Sequence, residues 1–280
     1  MNLNIVAIAM ARDEERIVGE GVSAALEWVD RFVVCDHGSI DRTAEIARRA
    51  GAIVETIDRD VPFDEGLRQR TVEIARESGP VDWLVRIDVD EIYHWLPGPR
   101  ELIEAASMSG FGCVKATQAE FWITLDDVAR GLLLEPDDVP IQKLRRWYTI
   151  GHPATVAWRD DQRLAYSFDA GLQKRRNVPI TEDGRDVASF WPVYQDRLLQ
   201  KHYNCQTLDQ VLARMPDRAR DLNTFGKYRY NLIVDHGIGL HFLGPDEVFD
   251  YRDNHDLVYQ WYEESAAMTR ERADLFEWGG

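Results

Sequence analysis

Short apolar runs alternate with helical periodicities through the first third of the chain. Ile5 to Ala9 is an apolar run that stops at the polar cluster Arg12-Asp13-Glu14-Glu15. Ile17, Val18, Val22, Ala25, Leu26 and Val29 then recur at helical spacing. Phe32-Val33-Val34-Cys35 predicts a second buried strand, ending at Asp36. Ser39 or Asp41 is placed to cap a helix with Ala44, Ala47 and Ala50 on its apolar side, and Gly51 ends it. Ala52-Ile53-Val54 predicts a third strand. A helix from about Phe63 to Arg76 follows, stopped by Ser78-Gly79-Pro80. Trp83 to Ile87 predicts a fourth strand, ending at Asp88. Strands and helices alternating through short connections predict an α/β fold with a parallel sheet covered on both faces.

From Gly98 the pattern loosens. Pro99 to Ser107 predicts a helix and Gly112 to Gln118 a strand. Beyond residue 120 the chain is rich in Trp, Tyr, Arg and Asp. Helical signals return at Thr207-x-x-Gln210, a capping box, and from Tyr259 to Phe276. The expected layout is a half spanning residues 1–120 and a more irregular, partly helical half spanning 121–280, or one continuous domain.

Composition narrows the function classes. The chain has 280 residues and 32.3 kDa, enough for one large α/β domain. At 45% hydrophobic and 29% charged residues it is neither disordered nor fibrous. A net charge of −16 argues against nucleic acid or an anionic membrane as the main partner. It does not argue against a phosphate-bearing small molecule, which sees only its own pocket. Cys35, Cys113 and Cys205 are far apart, which suits reduced thiols and a cytoplasmic protein. No basic segment precedes the first apolar run, and no apolar run is long enough for a transmembrane segment.

The chemistry gathers where strands end. Leu84-Val85-Arg86-Ile87 runs straight into Asp88-Val89-Asp90-Glu91. Side chains alternate in an extended chain, so Asp88 and Asp90 can share a face with Glu91 on the other. Two close carboxylates stay ionised only beside a cation or strong donors. Hard divalent ions, Mg²⁺ or Mn²⁺, favour such ligands and share them with substrate phosphates. The alternative is a solvated acidic turn. Asp36 ends the second strand within Asp36-His37-Gly38-Ser39-Ile40-Asp41-Arg42-Thr43. Ligands of open α/β sheets bind outside the carboxyl ends of strands, where both Asp36 and Asp88 fall. The alternative there is a plain turn with capping residues.

Four landmarks in order, Ala11-Arg12-Asp13-Glu14-Glu15, Asp36-x-Gly38-Ser39-x-Asp41-x-Thr43, Arg68-Gln69 and Asp88-x-Asp90-Glu91, resemble those of family 2 glycosyltransferases with the GT-A fold. The chain departs from the family's usual residues at Asp13, His37, Ile40, Arg42 and Gln69. The resemblance implies a GT-A-type, Rossmann-like, mostly parallel sheet in residues 1–120, binding a nucleotide sugar. Residues 121–280 would form an acceptor-binding part. It implies that Asp36 hydrogen-bonds the base or ribose and that Arg68 reaches the base or diphosphate. The main chain near Ala9 and Ala11, beside Arg12, would line the base pocket. Asp88 would contact ribose or metal, and Asp90 would bind the divalent ion. Glu91 would support these residues or pair with Arg86 or Arg100.

The late His202-Tyr203 pair is similar to one found in relatives with the same acidic signature, and a neutral imidazole can complete a carboxylate metal site. A hydrogen-bonded structural histidine is the alternative. His37, His236 and His241 are weaker candidates. The basic clusters Lys143-Leu144-Arg145-Arg146 and Lys174-Arg175-Arg176 suit a diphosphate or ordinary surface pairing. Trp122, Trp147, Trp158 and Trp191 suit sugar stacking or a core. The expected activity is metal-dependent transfer of a sugar from a nucleotide diphosphate sugar to an acceptor, small molecule or glycan, that the residues do not identify. The resemblance implies that the transfer inverts the anomeric carbon and that its general base is an acidic residue between the Asp88-x-Asp90 motif and His202. Asp183, in Glu182-Asp183-Gly184, is first by order in the chain and Glu120 second, with Asp126-Asp127 also available. The rivals are a non-catalytic nucleotide or sugar-binding module, which would not need the carboxylate pair, and a nucleotidyltransferase. The latter would need a glycine-rich loop where Ala11-Arg12-Asp13 stands.

Overall fold

The structure, a computed structural model, describes residues 2–61, 65–95, 97–121, 123, 139–144, 147–150, 153–167 and 178–203, and the strand backbones at 231–234, 237–240 and 249–250. The chain divides into two compact units, one of Met1–Gln118 with His152–His202, the other of Ala119–Gly151 with Tyr203–Gly280. The Thr207 and Tyr259 helices predicted from sequence lie outside the described residues, as do Trp122, Asp126-Asp127, Arg145-Arg146, Lys174-Arg175-Arg176, His236 and His241 and the side chains of Lys143, Leu144 and Trp147.

In the first unit the elements begin β1 (Ile5–Ala11), α1 (Val18–Leu26), β2 (Arg31–His37), α2 (Thr43–Arg49), β3 (Ile53–Ile57), α3 (Glu65–Glu77) and β4 (Trp83–Arg86). They continue with β5 (Glu91–His94), α4 (Pro99–Met108) and β6 (Cys113–Phe121). After β7 (Trp147–Ile150), which belongs to the second unit, come β8 (Ala154–Arg159) and β9 (Val193–His202). The strand order is β6-β8-β4-β1-β2-β3. β1 pairs in parallel with β2 and β4, and β2 with β3. β8 is antiparallel to both β4 and β6, so β6 runs with the parallel set and β8 opposes it. This is the α/β, mostly parallel sheet that the apolar pattern predicts. β5 follows β4 after a four-residue turn and pairs antiparallel with β9, a connection the pattern did not contain.

Alternation divides the core. Ile5, Ala7, Ala9 and Ala11 of β1 share one apolar cluster with Val18 and Val22 of α1, Ala47 of α2 and Leu102 and Ile103 of α4. Val6 and Ile8 face the other way, against Val72 and Ala75 of α3 and Val187 of the one-turn helix Val187–Phe190. Helices therefore cover both faces, and every position of β1 is buried. Trp158 is part of this core, and Trp191 packs at its margin beneath Arg159. Cys35 and Cys113 are free thiols, and burial pushes both up to about 11, which leaves them inert.

In the second unit the end of β6, Ala119–Phe121, pairs with β7, which pairs with β12 (Phe249–Asp250). β10 (Asn231–Val234) and β11 (Gly237–Leu240) form an antiparallel pair. Phe121 stacks on Tyr203 with ring centroids 4.8 Å apart. Among the described residues no helix is long and apolar enough to cross a membrane.

One close approach links α1 to the turn after β4. A Cβ at Gly21 would lie 2.1 Å from the carbonyl oxygen of Val89, so only glycine lets the helix seat against this turn. Gly21→Ala forces helix or turn to shift, and overpacking of this kind costs about 1–3 kcal/mol. The thermal midpoint should fall by about 2–4 °C for each kcal/mol; an unchanged midpoint contradicts this packing.

Candidate functional site

The turn after β4 gathers the acidic residues. The Glu91 main-chain N–H donates to the Asp88 carbonyl at 2.8 Å, and the Asp88 N–H donates to Glu91 Oε2 at 3.0 Å. Tyr93 places its hydroxyl 3.1 Å from the same Oε2 and 3.2 Å from the Arg86 carbonyl. Glu91 therefore points inward and braces the turn. Arg86, a charge inside an apolar strand, is buried and donates to Asp88 Oδ2 at 3.1 Å. Arg100 serves elsewhere, on Asp30 and Glu104.

Asp90 faces a different partner. Register places His202 of β9 directly opposite Glu91 of β5, and His202 Nε2 lies 3.6 Å from Asp90 Oδ2. Both side chains are largely buried. The other ring nitrogen, Nδ1, lies 2.7 Å from the carboxamide nitrogen of Gln118 on β6. Burial lowers the His202 pKa, but the carboxylates of Asp90, Glu91 and Asp88 outweigh it and push it up to about 9. Burial, with Asp88 next, pushes Glu91 up to about 7 against the pull of Arg86. Among the described residues no three His, Cys, Asp or Glu side chains converge on one metal position. Asp90 and His202 are a pair, able to hold a divalent ion that takes its other ligands from water and phosphate oxygens.

A second group stands at the ends of β1 and β2, where Ala11 pairs with Asp36 and Ala9 with Val34. The loops that follow are stitched together by side chains. Ser39 Oγ accepts from the Asp13 N–H at 2.9 Å, Thr43 Oγ1 from the Glu14 N–H at 2.7 Å and Asp41 from the Glu15 N–H at 3.1 Å. Asp41 also accepts from the Thr43 N–H, although the N-cap of α2 is Arg42, and neither Ser39 nor Asp41 holds that position. Asp13 adopts a left-handed φ of 55°, and its carboxylate accepts from the Ile40 N–H and from both terminal nitrogens of Arg59. Arg59 also donates to the Gly38 carbonyl at 3.0 Å. Gly38 has φ 56°, and a Cβ there would meet the Arg59 backbone at 2.7 Å, so glycine is required.

Asp36 is different. It is only 1% exposed, its Oδ2 lies 3.4 Å from the Ser39 N–H, and its Oδ1 has no hydrogen-bond partner among the described residues. A buried carboxylate oxygen without a donor is costly and marks a place where a ligand or water donates. His37 is buried, and its Nε2 donates to the Val61 carbonyl at 2.6 Å. Arg12 is half-buried, as is Arg68 on α3. Gln69 is structural: its Oε1 accepts from the Tyr166 N–H at 3.0 Å.

The structure thus brings Asp90 to His202, Asp88 into the same turn and Asp36 beside Ala11. The two candidate bases stand apart from these contacts. Asp183 sits in the turn Thr181–Arg185 and is well exposed; its carboxylate is bound by the Thr181 hydroxyl and by Arg185 at 2.9 Å. Those two partners hold it below the usual carboxylate range. Glu120 is half-buried on β6 and belongs to the second unit. Sequence reading missed Gln118 and Arg59, whose polar side chains follow no pattern. It also left Arg86 as one option among two, although a charge inside an apolar strand beside three carboxylates was a usable signal.

No family model and no curated protein matches the chain. Solved structures do. Glucosyl-3-phosphoglycerate synthase from Mycobacterium tuberculosis in complex with Mg²⁺ and UDP aligns at 23% identity and TM-score 0.32, over 42% of this chain and 44% of that one. The same enzyme with Mn²⁺, UDP and glucosyl-3-phosphoglycerate aligns at 18% identity and TM-score 0.41, over 87% and 89%. Mannosyl-3-phosphoglycerate synthase from Rubrobacter xylanophilus aligns at 15% identity and TM-score 0.43, over 89% and 87%. At these scores the likeness carries nothing about the chemistry of this chain, which rests on its own residues.

Burial of Glu91 gives a pH signature. Between its ordinary value of 4.5 and about 7 the folded state holds a proton that the unfolded state has released. Stability therefore falls as pH rises through that window. Urea unfolding in a chelator should show this fall in the wild type and a weaker one in Glu91→Gln. Parallel pH profiles for the two proteins contradict the inward-facing carboxyl.

Proposed function

We propose that the chain is a metal-dependent, inverting glycosyltransferase of family 2 with the GT-A fold, which moves a sugar from a nucleotide diphosphate sugar to an acceptor hydroxyl. The observation that carries the reading is the Asp90–His202 pair at 3.6 Å, set where the chain leaves β4. A carboxylate and an imidazole suit an ion that takes its other ligands from water and a diphosphate. When bound, that ion supplies charge neutralisation at the leaving diphosphate. Asp90 and His202 would hold it, and Asp88, kept in place by Arg86, would face the ribose or the same ion. Asp36 Oδ1 accepts from the base or ribose. The main chain at Ala9 and Ala11, with Arg12, lines the base, and Arg68 reaches the base or diphosphate.

The reaction is one displacement. The acceptor oxygen bonds to the anomeric carbon as the bond to the diphosphate oxygen breaks, and a carboxylate takes the acceptor's proton. Glu120 stands ahead of Asp183 for that role. Asp183 is bound to Thr181 and Arg185 and is a weakened base, which leaves Glu120, half-buried on β6, as the better candidate.

A thermal-shift series with nucleoside diphosphates, with and without Mn²⁺, tests the binding half. At about 100 times Kd a ligand adds roughly 2.7 kcal/mol, which raises the midpoint by about 2–4 °C per kcal/mol. The wild type should show a shift that requires both nucleotide and Mn²⁺, and Asp90→Asn should lose it with the fold intact. A shift that survives in Asp90→Asn removes Asp90 from the metal site.

For the chemical half, Glu120→Gln should cut the transfer rate by about 10²–10⁴-fold with nucleotide affinity little changed, and Asp183→Asn should keep most of its activity. The opposite outcome assigns the proton to Asp183. A product with the donor's anomeric configuration retained contradicts the single displacement.

A further inference from the structure

His202 has two ring nitrogens and two different neighbours. Nε2 faces Asp90 at 3.6 Å, and Nδ1 faces the Gln118 carboxamide at 2.7 Å. An imidazole that ligates an ion through Nε2 must give that nitrogen's lone pair, so the ring proton sits on Nδ1. Nδ1 is then a donor and needs an acceptor. The carboxamide nitrogen of Gln118 cannot accept, but a half-turn of the same group puts Oε1 where Nε2 stands, with no change in shape. With the nitrogen toward the ring, Gln118 suits only the neutral tautomer that points N–H at Asp90. With the oxygen toward the ring, it favours the tautomer that points a lone pair there.

We propose that Gln118 is the positioning residue of the metal site: its carboxamide turns to accept the Nδ1–H of His202, fixing the tautomer and the ring plane that let Nε2 join Asp90 on the ion. This rests on the metal-site reading above and adds a residue to it. Gln118 and His202 lie on β6 and β9, which pair, so the contact is set by the sheet and not by a loop. A carboxamide suits the task because it neither adds charge beside Asp90 nor titrates, and it satisfies the ring in both tautomers. A carboxylate would hold one tautomer only.

Two readouts test this. Nitrogen NMR of His202 in the wild type with Mg²⁺ and UDP should show the proton on Nδ1, with Nε2 unprotonated. A proton on Nε2 in the loaded protein overturns the proposal without any variant. Mn²⁺ binding, followed by electron paramagnetic resonance in the presence of UDP, should weaken about 10–100-fold in Gln118→Met, as loss of a partner behind a ligating histidine does. Gln118→Glu, which keeps an acceptor, should bind at least as tightly as the wild type. Equal affinity in Gln118→Met and wild type overturns the role of Gln118 while leaving the metal site standing. A wild type that binds no Mn²⁺ with UDP overturns the site itself, and this proposal with it.

Discussion

Asp88, Asp90 and Glu91 place three carboxyls within four residues at the end of a strand that is covered on both faces, and their charge has to be met locally. Like charges at this spacing repel, and burial raises the cost further. The chain answers with three different partners. Arg86, carried inside the strand, takes Asp88. Glu91 turns inward to the Asp88 N–H and the Tyr93 hydroxyl, where burial pushes its pKa up to about 7. Asp90 is left facing His202. The rest of the site depends on this division, because it sets Asp90 against His202 and fixes the turn that presents it. Even the helix on the far side conforms, with Gly21 giving room to the Val89 carbonyl.

A second constraint acts where β1 and β2 end. Three successive main-chain N–H groups, at Asp13, Glu14 and Glu15, leave the β1 edge in need of acceptors. Ser39, Thr43 and Asp41 supply them, and Arg59 ties Asp13 to Gly38. Residues that look like a ligand-binding signature in the sequence are thus mostly scaffold. Their spacing is the spacing needed to lay one loop on another. Asp36 is the exception, with a buried oxygen left over after the scaffold is complete.

The sequence displayed the parallel strands and their helices because the inner strands β1, β2 and β4 are buried on both sides and read as apolar runs, as in Ile5 to Ala11. It displayed Asp36, Asp88 and Asp90 because each stands where such a run stops. It did not display β5, whose four residues Glu91–His94 have no run of their own and pair with β9 more than a hundred positions away. For the same reason Gln118 was invisible: an isolated polar residue near the end of β6 becomes meaningful only when β9 brings His202 to it. Asp183 was chosen by order along the chain, and order carries no information about Thr181 and Arg185 closing around it. Contacts between distant strands are long-range facts, and local pattern does not encode them.

The central claim is that Asp90 and His202 hold one divalent ion beside a nucleotide diphosphate. Anomalous diffraction from crystals grown with Mn²⁺ and UDP measures it directly. The account predicts a single strong manganese peak within bonding distance of Asp90 Oδ2 and His202 Nε2, bridged to the diphosphate. A peak elsewhere, or nucleotide bound at Asp36 with no manganese between Asp90 and His202, would contradict it.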